Sequence, residues 1–147
     1  MGVSDRSIAV DAWEALFRAQ VTVLRELNSV FPNDQLSLNE YDVLFNLSRQ
    51  PGWRLRIRDL NKHILLTQPS VSRLIDRLAS RDLVTKTPDP GDGRGTIVTL
   101  TDAGFDLFRT VAATHTRSIT DRVGSALSND ELLTLTDLCN KLRLSED

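Results

Sequence analysis

Apolar positions along the chain alternate between helical and extended spacing, with clear stop signals between them. From about Ser7 to Phe31, the residues Trp13, Leu16, Phe17, Leu24, Leu27 and Phe31 recur at three- and four-residue steps. That spacing predicts one long amphipathic helix, ended by Pro32. Ser37 and Glu40 then stand at capping-box spacing, with Leu36 and Tyr41 placed as a hydrophobic staple, so a second helix starts here. It carries Leu38, Val43, Leu44 and Leu47 and stops before Pro51-Gly52. Residues 54–57 read as a short extended piece, and a brief helix follows over about Arg58–Ile64 with Leu60 and Ile64 inward. Thr67 is placed as the N-cap of another helix, with Pro69 in its first turn, where a missing N–H costs little. Val71, Leu74, Ile75 and Leu78 form its apolar face, and Gln68, Ser70, Ser72, Arg73 and Arg77 the opposite one.

Leu83–Thr87 and Thr96–Leu100 are β-branched runs on either side of Pro88–Gly95, which holds three of the seven glycines and two of the five prolines. A β-hairpin with a long, flexible tip carrying Arg94 is the simplest reading. Thr101 caps a long helix with Phe105, Phe108, Ala112, His115, Ile119 and Val123 at heptad-like spacing. Ser128 and Glu131 make a second capping box, opening a last helix with Leu132, Leu135, Leu138, Cys139 and Leu142. The fold class expected is therefore mainly α with a small β-hairpin. A winged helix-turn-helix at about 36–100 is flanked by helices at about 7–31 and 101–144, within a single-domain chain of 147 residues. The flanking helices have broad apolar faces, which a symmetric homodimer would bury most economically.

Charge sharpens this picture. The net charge is only −2, but residues 53–94 hold nine Lys/Arg against five Asp/Glu. A basic middle of +4 thus sits between ends that together carry −6, as expected of a polyanion-binding segment on an acidic scaffold. A solvated surface with uneven charge would give the same count. No apolar run is long enough to span a membrane, and the acidic N-terminus does not read as a signal peptide. One cysteine, Cys139, excludes an intrachain disulfide, and a cytoplasmic location is the expectation. The two histidines, His63 and His115, lack neighbours at metal-ligand spacing, and no nucleophile elbow, phosphate loop or dinucleotide fingerprint occurs. No enzyme, no cofactor and no metal are expected.

Four fragments together carry a resemblance. They are Gln68-Pro-Ser-Val-Ser-Arg-Leu-Ile-Asp-Arg-Leu78, Asp82-Leu-Val84, Asp89-Pro-Gly-Asp-Gly-Arg94 and Leu100-Thr-Asp-Ala-Gly104. In order and spacing the chain resembles the MarR (multiple antibiotic resistance regulator) family of bacterial transcription factors over nearly its whole length. The resemblance implies a repressor that binds double-stranded DNA as a homodimer on a pseudo-palindrome. Gln68, Ser70, Ser72 and Arg73 would then be major-groove readers, with Arg77 nearer a phosphate. Arg94 would enter the minor groove, oriented by Asp92, and Ser37 at its helix start is a candidate phosphate contact. Two departures from the family pattern are Asn61, where alanine is usual, and Leu65-Leu66 in the turn without glycine.

Each assignment has a plainer rival. Arg73 and Arg77 suit a solvated helix face, with Arg77 in reach of Asp76 or Asp82. Arg94 suits a turn contact with Asp92, and Ser37 a cap alone. Relatives often release DNA when a small aromatic molecule binds, and Trp13, Phe17, Tyr41 and Phe45, with Trp53, are candidates to line such an effector pocket. The same cluster fits a core. His115 suits a packed position better than a ligand or pH-sensing role, and Cys139 a small core residue better than a redox sensor. The rival function is a winged-helix protein-interaction module without sequence-specific DNA binding; a small-molecule buffer is disfavoured by the basic segment.

Overall fold

A computed structural model describes residues 3–64 and 68–145. Its helices are α1 (Val3–Val30), α2 (Leu38–Ser48), α3 (Ile57–His63), α4 (Gln68–Ser80), α5 (Asp102–Val123) and α6 (Asn129–Leu144). Its strands are β1 (Arg54–Arg56), β2 (Val84–Asp89) and β3 (Asp92–Leu100). The chain divides into two compact units. One comprises the chain up to Val30 and from His115 onward, and the other Phe31–Thr114.

The second unit is the expected winged helix-turn-helix, with one strand more than the expected hairpin. The sheet order is β1-β3-β2, and β1 pairs antiparallel with β3 through Arg54↔Thr99, Leu55↔Val98 and Arg56↔Ile97. Its core gathers one face of each element: Val43, Leu44 and Leu47 of α2, Leu60 of α3, Val71, Ile75 and Leu78 of α4, and Val84 and Val98 of the sheet. The Ser37 capping box forms as expected. Ser37 Oγ accepts the Glu40 N–H at 3.1 Å and the Glu40 carboxylate accepts the Ser37 N–H at 2.9 Å. Leu36 and Tyr41 are both buried beside it.

Two local devices set the wing on the helices. α4 ends in a Schellman turn, in which Leu83 N–H bonds Leu78 C=O, Asp82 N–H bonds Ala79 C=O, and Asp82 takes φ 59°. β3 then leads into α5 at Thr101, whose Oγ1 accepts the Gly104 N–H at 3.0 Å as an N-cap. Gly104 is obligatory at this join, because a Cβ there would lie 2.1 Å from the Leu83 carbonyl oxygen.

The tip is tighter than expected. β2 runs to Asp89 and β3 restarts at Asp92 after a two-residue turn, Pro90 and Gly91. The register shifts between Pro88 and Asp89, so that Gly93, Arg94 and Gly95 of β3 are passed over in the pairing with β2. Pro88 is tolerated because β2 is an edge strand, where a missing N–H breaks no ladder. The Asp89 carboxylate accepts the Gly91 N–H at 2.9 Å and that of Asp92 the Arg94 N–H at 3.1 Å. Aspartates thereby order a stretch whose glycines and prolines alone suggest a loop.

The first unit consists of α1, the C-terminal part of α5, and α6. Ser128 and Glu131 close their capping box at the start of α6, and the Ser128 bonds hold the Glu131 carboxyl below its usual range. Arg122 and Glu26 form an ion pair between α5 and α1. Ile8, Trp13, Phe17 and Leu24 of α1 and Leu133, Leu135, Leu138 and Leu142 of α6 are exposed. Cys139, expected in a core, is only half-buried, because nothing among the described residues covers that face of α6 fully. No helix among the described residues is long and apolar enough to cross a membrane.

Candidate nucleic-acid interface

α4 carries the site because its two faces differ completely. Val71, Leu74, Ile75 and Leu78 are buried, while Ser70, Ser72, Arg73, Asp76 and Arg77 face solvent. Among the described residues, neither Arg73 nor Arg77 forms an ion pair. The expected rival partners are otherwise placed. Asp76 takes Lys86 of β2 at 2.6 Å, and Asp82 lies in the Schellman turn with its carbonyl accepting the Thr101 hydroxyl. Lys86 thus cancels the one acid on the exposed face and ties the helix to the wing. An open depression of about 520 Å³ runs along this face, lined by Ser70, Arg73, Asp76 and Arg77 together with Asn39 of α2. The α4 pattern itself does not mark Asn39 or Lys86, which join the site only through the packing of α2 and β2 on α4. The N-cap expected at Thr67 and the turn at Leu65-Leu66 lie outside the described residues, as does the side chain of Gln68.

On the wing, Arg94 is exposed on β3 and its guanidinium has no ion-pair partner among the described residues. Asp92 engages the backbone N–H of Arg94 rather than its guanidinium. The acid that holds a cation here is Asp89, buried and 2.7 Å from the Arg56 Nε. Beside it a cleft of about 230 Å³ is bordered by Arg56, Arg58, Asp92 and Arg94. Ser37 is engaged in its cap, with the Glu40 carboxylate in the same first turn and 3.8 Å from Arg81.

The four aromatic candidates fall into two pairs, one in each unit. Tyr41 and Phe45 belong to an aromatic cluster of the winged unit. Tyr41 stacks on Phe108 at 5.2 Å, Phe31 meets Tyr41 edge-on at 5.6 Å, and Arg49 lies 5.3 Å above Phe45. Burial, reinforced by the neighbouring Asp42, pushes the Tyr41 hydroxyl above its usual pKa. Trp53 stacks on Phe105 at 4.6 Å, with its own backbone at φ 58° after Gly52 at φ 69°. Trp13 and Phe17 pair at 5.6 Å on α1 and stay half-exposed. His115 is buried, and that burial lowers its pKa.

This arrangement has clear relatives. A sequence model of the MarR family matches residues 34–95, the winged unit. The helix-turn-helix transcriptional regulator PecS of Dickeya dadantii is 27% identical over 117 residues, covering 79% of this chain and 70% of its own. The winged unit is thus similar to the MarR family. Among solved MarR-family structures, Sco3205 of Streptomyces coelicolor in complex with DNA superposes with a TM-score of 0.78 at 22% identity, covering 97% of this chain and 88% of that one. BpsR of Bordetella bronchiseptica, whose DNA binding is regulated by 6-hydroxynicotinic acid, gives 0.76 at 26% identity, covering 90% and 93%. Like these regulators, the chain is built on a winged helix-turn-helix.

Proposed function

We propose that this protein is a homodimeric repressor of the MarR type that binds a pseudo-palindromic operator, with its two α4 helices in successive major grooves about one helical turn apart. The observation that carries the reading is the exposed face of α4, where Arg73 and Arg77 have no ion-pair partner among the described residues. Free guanidinium groups on a rigid helix suit guanine edges and phosphates. In this reading Gln68, Ser70, Ser72 and Arg73 read bases and Arg77 neutralises a phosphate. Arg94 enters the adjacent minor groove from the wing, where narrow A·T-rich grooves concentrate negative potential. Asp92 supports the backbone at Arg94, and Ser37 keeps its hydroxyl proton to offer to a phosphate. DNA carried by the related Sco3205 fold is consistent with this placement.

The dimer is proposed from the exposed apolar residues of α1 and α6, which a second copy would cover. A small aromatic molecule is proposed as the effector, supported by the regulation of BpsR by 6-hydroxynicotinic acid. Trp13 and Phe17 on α1 and, separately, Tyr41 and Phe45 of the winged unit are the residues offered to it. Such a molecule must bind the DNA-free state better than the DNA-bound one; contact alone shifts nothing.

Arg73→Ala tests the reading. It should cost roughly 1–3 kcal/mol of specific binding and relax the preference at one base position of the operator. Unchanged affinity together with unchanged base preference would remove α4 from the recognition role.

A further inference from the structure

The end of the wing overhangs its own sheet. β1 stops at Arg56, opposite Ile97, so beyond that rung β2 and β3 have only each other. A two-stranded ribbon by itself is marginally stable. One side chain ties the overhang back to the helix-turn-helix. Asp89, with 3% of its side chain exposed, brings Oδ2 within 2.7 Å of the Arg56 Nε, while its Oδ1 accepts the Gly91 N–H at 2.9 Å. The Arg56 contact is an ion pair whose N–H does not line up on the oxygen, so charge rather than hydrogen-bond direction supplies the attraction. Gly95 leaves room for the carboxylate, since a Cβ there would lie 3.3 Å from Asp89 Oδ2. Arg56 occupies the N-cap position of α3, yet its side chain makes no cap bond.

We infer that Asp89 is a positioning residue for DNA binding. Its ion pair with Arg56 holds the two-residue turn in place, so that Arg94 is presented to the groove at a fixed point. The inference rests on the reading above that Arg94 reaches DNA. It carries a sign that plain electrostatics does not. Asp89→Asn removes a negative charge close to the proposed DNA surface, which by charge alone tightens binding to a polyanion. Loss of the tie loosens the ribbon and weakens binding.

The experiment titrates the full-length protein against duplexes recovered by selection from random DNA, bearing either A·T-rich or G·C-rich flanks. The proteins are wild type, D89N, R56S, R94A and D89N/R94A, each checked by thermal unfolding. R56S breaks the tie while giving α3 a better cap, so its fold should survive. D89N and R56S should each weaken binding to the A·T-flanked duplex on the order of tenfold and the G·C-flanked duplex less. D89N should add nothing once Arg94 is alanine. Folded D89N that binds as well as wild type or more tightly overturns the inference, as does an undiminished loss in the R94A background. If D89N does not fold, R56S decides by the same comparison of flanks. An R94A protein with normal binding overturns this inference and the wing reading together. A weakened R94A beside unaffected D89N and R56S overturns this inference alone.

Discussion

At the scale of single residues, the site depends on which charges are already matched. Asp76 and Asp89 are occupied by Lys86 and Arg56, while Arg73, Arg77 and Arg94 remain without such partners among the described residues. Two acids of this surface are thus matched by cations, while three of its arginines are not matched by acids among the described residues. One residue works against stability. Asn61 sits in α3 with its Oδ1 buried and, among the described residues, without a donor. A buried acceptor left unpaired costs its desolvation, and alanine is also the better helix former. Asn61→Ala should therefore raise stability by about 1 kcal/mol, read as a higher thermal midpoint. A lower midpoint would mean the amide has a role that burial does not reveal. The departure from alanine was legible in the sequence; its cost was not, because it depends on what packs around the side chain.

Among the elements, local signals were read correctly and distant ones were missed. The Ser37 and Ser128 capping boxes, the Thr101 cap and the buried face of α4 are all set within a few residues of chain, and each formed as its spacing predicts. The third strand was visible only as a short extended piece, because its pairing with β3 is specified some forty residues further on. The tip of the wing differs for another reason. Its glycines and prolines carry the statistics of a loop, but Asp89 and Asp92 bond the backbone, leaving a two-residue turn and a register shift at Gly93–Gly95. The joint between wing and α5 shows how tightly elements are set. Gly104→Ala should cost roughly 2–3 kcal/mol, because the new methyl meets the backbone of Leu83 rather than a yielding side chain. Thermal unfolding checks this, and an unchanged midpoint would show that the start of α5 can move away from Leu83 at little cost.

For the whole molecule, the division of labour follows the charge. The basic segment, residues 53–94, falls within the winged unit, while the acidic remainder includes both parts of the other unit. That other unit leaves leucines, Trp13 and Phe17 exposed in a single chain, and its exposed α6 is why Cys139 is half-buried rather than in a core. Helix positions were legible from periodicity, but what covers their apolar faces was not, since the pattern of an intersubunit surface is the same as that of an internal one. The central claim is that this chain, like the MarR regulators it resembles, reads a specific duplex as a dimer. Its most direct test is selection from random DNA duplexes on the purified protein at roughly 0.15 M salt, a level at which nonspecific phosphate binding is weak. The account predicts enrichment of a two-fold symmetric sequence with half-sites about one helical turn apart. A folded, ligand-free protein that enriches no sequence, or only a single asymmetric half-site, would contradict it.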